Sequence, residues 1–80
     1  MTGQIPKYGE HFRITNREYD RVLGNRRYTL KADARFYIQS DKASKRWHTF
    51  GPDGEFGEPQ PSLTTAMPVV VARHASAVTP

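Results

Sequence analysis

The chain has 80 residues, 12 Lys and Arg against 8 Asp and Glu for a formal charge of +4, 36% hydrophobic residues and no cysteine. A chain of this length buries only about 60–65% of the surface its unfolded form exposes, which leaves one thin core and excludes a second catalytic or regulatory domain. The cysteine count excludes a disulfide framework, a thiolate nucleophile and zinc sites that use thiolates. The longest apolar run is Val69–Ala72, and Met1–Pro6 shows no hydrophobic signal core. Roughly 18–20 apolar residues are needed to span a bilayer, so the expectation is a soluble cytoplasmic protein with no membrane partner.

The charge is unevenly distributed. Residues 1–50 hold 11 basic and 5 acidic side chains, a balance of +6, whereas residues 51–80 set Asp53, Glu55 and Glu58 against Arg73, a balance of −2. The second part also holds five of the six prolines. This division predicts a small basic α+β domain over 1–58 and a Pro/Ala/Val-rich tail over 59–80.

In chain order, Tyr8, Phe12 and Ile14 alternate with polar residues and predict a strand over 8–14. Thr15 and Glu18 have the spacing of a capping box, Tyr19, Val22 and Leu23 share one helical face, and Gly24 is a stop, which together predict a short helix over 16–23. So short a helix must dock that apolar face. From Tyr28 to Gln39 the even positions are apolar throughout, and the pattern predicts one long strand over 27–39 that bends at Ala32-Asp33-Ala34, a turn there being disfavoured without Gly or Asn. Residues 45–50 return as an antiparallel strand in which Trp47 and Phe50 have opposite parity, so one of them points outward or a bulge re-aims it. Gly51-Pro52-Asp53-Gly54 is a turn, Glu55–Gly57 a stub of strand, and Glu58–Ser62 an extended linker. The β-branched run behind Pro68 predicts an edge strand over 68–72, followed by a disordered end from 74 to 80.

The resulting fold class is α+β, a small antiparallel sheet of three to five strands, open or partly closed into a barrel, with a short helix between the first two strands. The expected core is Phe12, Ile14, Tyr19, Val22, Leu23, Leu30, Phe36, Ile38 and one of Trp47 or Phe50. So thin a core makes a homodimer an expectation as well.

Reaction chemistry is sparse. His11, His48 and His74 lack metal-ligand spacing, and His11 and His48 meet only if their strands are neighbours. Glu10, Glu18, Asp20, Asp33 and Asp41 interleave with basic residues as a solvated mixed-charge surface rather than a paired acid dyad. Ser40, Ser44, Ser62 and Ser76 lack a nucleophile elbow, and the glycines of 51–57 lack the lysine and helix of a phosphate loop. An enzyme, a metal or a cofactor is therefore not expected.

Basic residues interleaved with aromatics remain. Arg26, Arg27, Lys31, Arg35 and Tyr37 on or just before the long strand, with Lys42, Lys45, Arg46 and Trp47 beyond it, are expected to share one sheet surface. Cations neutralise phosphates and aromatics stack on unpaired bases, so this surface predicts a non-enzymatic module that binds nucleic acid, with single strands preferred. The alternative is a small protein-binding inhibitor or adaptor that blocks a host protein complex, a role that small cysteine-free chains often fill as phage or mobile-element accessory proteins. In that case the β-branched run adds a strand to a partner or to a second copy.

Overall fold

A computed structural model describes residues 8–78. A 3-10 turn, Gly9–His11, leads into β1 (Phe12–Ile14). Then follow α1 (Glu18–Leu23), β2 (Arg27–Leu30), β3 (Tyr37–Asp41), β4 (Arg46–Gly51), β5 (Gly54–Glu55) and α2 (Leu63–Val78). The five strands pair antiparallel in the order β1-β2-β3-β4-β5. Each strand pairs with its neighbour in the chain and the first and last do not meet, so the sheet is open rather than barrel-like.

The registers Phe12↔Leu30, Tyr28↔Ile38, Ile38↔Thr49 and Ser40↔Trp47 place these side chains on one face, the inner one. The helix α2 covers it. Ala66, Met67 and Val70 are buried in one cluster with Phe12, Leu30, Phe36 and Ile38, and Tyr28, Trp47, Phe56, Leu63 and Val71 pack around it. Opposite residues of the ladder, Arg13, Arg27, Thr29, Tyr37, Gln39, Arg46, His48 and Phe50, form the outer face.

The expected bent strand over 27–39 is instead two strands joined by a turn. Leu30 accepts from the Asp33 amide, Asp33 from the Phe36 amide, and the Leu30 amide donates to Phe36 at 2.9 Å. Asp33 organises the turn in place of Asn, its carboxylate accepting from the Arg35 amide and from Arg35 Nε, each at 3.0 Å. Six residues separate the two strands, an even number, so the even positions point inward on both sides. The alternation therefore runs through the turn without a break.

The expected edge strand over 68–72 and the unstructured end beyond it are also corrected, because residues 63–78 are helical. Ser62 caps the helix, its Oγ accepting from the Thr65 amide and its carbonyl from the Ala66 amide. Leu63, Met67, Val70 and His74 recur at helical spacing, and the His74 ring meets the Phe36 ring edge-on at 5.2 Å. Pro68 lies inside the helix and has no amide for the Thr64 carbonyl. Burial of Ala66, Met67 and Val70 outweighs that lost bond and the β preference of Val69–Val71. The last two residues of the expected disordered end, 79 and 80, lie outside the described residues, as does Met1–Pro6.

The expected core is right at Phe12, Leu30, Phe36 and Ile38 and wrong at four positions. Ile14, Tyr19, Val22 and Leu23 are exposed, Val22 by 77%. Between Trp47 and Phe50, Trp47 packs on the core cluster and Phe50 sits on the outer face. The strand expected over 8–14 is shortened to Phe12–Ile14 by the 3-10 turn before it.

Candidate functional site

The helix α1 docks through a carboxylate rather than an apolar stripe. Asp20 is 1% exposed and accepts from the Arg17 amide at 2.9 Å, Arg17 Nε at 3.1 Å and Gln39 Nε2 at 2.9 Å. These bonds, led by the one from the Arg17 side chain, hold the Asp20 carboxyl at about 2 and raise the Arg17 guanidinium above its ordinary value. The capping pair is thus Arg17 and Asp20, not Thr15 and Glu18. Thr15 instead shares a hydrogen bond between its hydroxyl and that of buried Thr29. Asp20 was expected on a solvated surface; these three donors, with Arg17 Nη2 at 3.4 Å as a fourth, are what allow it to be buried while charged.

Past α1 the chain turns at Gly24, whose φ of 76° ends the helix in the left-handed region. Two hydrogen bonds then tie the connection between α1 and β2 to the hairpin of β3 and β4. Asn25 Oδ1 accepts from the Lys42 amide at 2.8 Å, and Ser40 Oγ from the Arg26 amide at 2.6 Å. Lys42 lies against Gly24, where an added Cβ would stand 3.1 Å from Lys42 Cδ.

The result is a cleft of about 440 Å³ between the α1 end and the hairpin. Its lining brings Arg26, Lys42, Lys45 and Arg46 together with Trp47. None of these four cations has a carboxylate within ion-pair distance; the ion pairs among the described residues are Arg17 with Asp20, Arg35 with Asp33 and His48 with Glu55. Asp41 also lines the cleft, with Oδ1 accepting from the Ala43 amide at 3.1 Å. Lys45 adopts φ 60°, the one non-glycine residue in the left-handed region among those described. That conformation costs an L-residue roughly 1–2 kcal/mol.

Five of the nine sequence-predicted site residues therefore converge, namely Arg26, Lys42, Lys45, Arg46 and Trp47. The other four do not join them. Lys31 and Arg35 lie in the turn between β2 and β3, and Arg35 is paired with Asp33 at 2.7 Å, which holds the Asp33 carboxyl at about 2. Arg27 and Tyr37 are on the outer face, the Arg27 guanidinium 3.9 Å from the Tyr37 ring centre. The single basic sheet surface expected from the alternation is thus corrected to a cleft at one end of the sheet and a separate outer face. Trp47 points to the inner face because it lies opposite Ser40, two residues from Ile38.

Sequence reasoning missed Phe50, whose ring stacks on Tyr37 at 4.7 Å and 10°. The signal was its odd parity relative to Trp47, which sets it outward beside Tyr37. His11 and His48 are not neighbours, because β1 and β4 are separated by two strands, and His48 Nδ1 instead hydrogen-bonds Glu55. Among the described residues no group of three or more His, Asp or Glu side chains is placed to hold a metal ion. No helix among them is long and apolar enough to cross a membrane.

Fold and cleft define a small α+β protein, an open antiparallel meander covered on one face by a C-terminal helix, with a cationic cleft at the hairpin end. Comparison with family models, with curated proteins and with solved structures gives no match to this chain.

Proposed function

We propose that the protein is a non-enzymatic binding module for nucleic acid, with single strands preferred. The observation that carries this reading is the cleft that Arg26, Lys42, Lys45 and Arg46 line together with Trp47, the four cations having no carboxylate partner among the described residues. Cations on flexible stems neutralise phosphates, and an indole ring in the same cleft stacks on a base that is not paired. The left-handed backbone at Lys45 supports it, since Gly or Asn would sit there at less cost and lysine adds only its charge to the cleft. Engagement of four phosphates gives a slope of log K against log salt of about −3 for a single strand. Titration of a labelled oligothymidylate at several salt concentrations measures it, and binding that ignores salt overturns the reading.

A second reading, a protein-binding inhibitor or adaptor, is favoured by α1. Tyr19 and Val22 are 67% and 77% exposed, and Leu23 and Ile14 are exposed too, which is unusual for side chains of this kind. A partner, or a second copy of the chain, would cover them. Val22→Asp leaves nucleic-acid binding intact under the first reading; loss of a discrete dimer or complex in light scattering on this substitution supports the second.

A further inference from the structure

On the outer face, β4 presents Arg46, His48 and Phe50 at alternate positions. Tyr37 stands directly across from Phe50, and the two rings are stacked. With the Arg27 guanidinium on the far side of Tyr37, the three groups form a continuous stack of cation, phenol and phenyl ring. Among the described residues neither Arg27 nor Arg46 has a carboxylate partner, Arg27 Nε donating instead to Gln39 Oε1 at 3.0 Å, while Arg17, beside Tyr37, is taken up by Asp20. Of the acids near this face, Glu55 across from Phe50 is engaged by His48, Asp20 by Arg17 and Gln39, and Asp41 across from Arg46 accepts from the Ala43 amide.

Arg46 belongs to both regions. It lines the Trp47 cleft, and its position opposite Asp41 in the ladder puts it in the outer-face row with His48 and Phe50. From Arg46 to Phe50 is roughly 13 Å along the strand at about 3.3 Å per residue. We propose that a single strand seated in the cleft continues past Arg46 onto the outer face and stacks a base on the ring of Phe50, with Arg27 drawing its phosphates toward that face. The occupant is a single strand because both the cleft and the Phe50 ring require the π-faces of unpaired bases, which a duplex keeps stacked on one another. Charge complementarity selects it over an apolar partner, since Arg27 covers the Tyr37 ring and Arg46 stands in the same row as Phe50. This extension rests on the cleft reading and adds a second contact to it.

The test is a length comparison. Labelled oligothymidylates of about two and about eight nucleotides are titrated against the protein and its Phe50→Leu and Trp47→Leu variants. The longer strand binds the unaltered protein more tightly; Phe50→Leu weakens it roughly fivefold to hundredfold and leaves the shorter one unchanged. Trp47→Leu weakens both. Because Phe50→Leu also removes a packed ring, Phe50→Trp serves as the second variant. It keeps the stack and retains affinity for the longer strand, and its added fluorescence is quenched by that strand alone. Equal affinity for both lengths, or a Phe50→Leu defect shared by both, overturns the second contact and leaves the cleft standing. Absence of binding at either length overturns the cleft reading, and this one with it.

Discussion

Gln39 on β3 donates its side-chain amide to the buried carboxylate of Asp20 on α1 at 2.9 Å, and this bond joins the helix to the outer face of the sheet. The apolar residues of the same helix face solvent. Asp20→Ala strands the Arg17 amide and the Gln39 amide without their acceptor, and hydrogen bonds to a charged group are worth about 1.5–3 kcal/mol. The expected outcome is a loss of about 2–3 kcal/mol in denaturant unfolding. Gln39→Ala loses less, and the double variant loses less than the sum because the two share one bond. Full additivity would show that the bond contributes nothing.

Acid stability follows from the same carboxylate. Asp20 and Asp33 are held at about 2 against an ordinary 3.8, in each case first by a hydrogen bond from the neighbouring arginine side chain. A carboxyl whose folded value is lowered contributes stability that is complete above its unfolded value and is lost as pH falls through its folded value. The melting temperature should therefore hold steady down to about pH 4 and drop toward pH 2. Asp20→Asn flattens most of that drop. Asp33→Asn has a smaller effect, because the Arg35 side chain that pairs with it is 67% exposed and solvent screens the pair.

Lys45 sets stability against binding. Its φ of 60° is one that glycine adopts freely. Lys45→Gly should stabilise the folded protein by about 1 kcal/mol, the relief of left-handed backbone being partly offset by the greater freedom of glycine in the unfolded chain. The same substitution removes one cation from the cleft and makes the salt slope shallower by about 0.7. Calorimetry and the salt titration on one variant check both signs.

The C-terminal helix is part of the core. Removal of residues 61–80 takes Ala66, Met67 and Val70 from the cluster that covers the inner face. The truncated chain should lose cooperative unfolding, observable by circular dichroism during heating. In the full chain, Pro68→Ala restores an amide to the Thr64 carbonyl and should raise stability by about 1–3 kcal/mol. A strand at this position would gain nothing from that change.

Much of the sheet was legible in the chain because a strand writes its two faces into alternate residues. Phe12, Leu30, Phe36 and Ile38 point inward as their parity requires. The turn at Asp33 was hidden by its even length, which kept parity in step across it, and the helix over 63–78 was hidden by Pro68 and the valines. Local preference there argues for a strand, and only the uncovered inner face of a sheet built from distant segments makes the helix more stable. The candidate site divides in the same way. The sequence by itself determined its chemistry, a +6 balance over residues 1–50 with aromatics among the cations. Tertiary structure alone decided which cations gather at Trp47 and which lie apart with Tyr37. That choice depends on ladder register and on hydrogen bonds such as Lys42 to Asn25 and Arg26 to Ser40. These link residues 14 and 17 positions apart, a separation at which local periodicity carries no information.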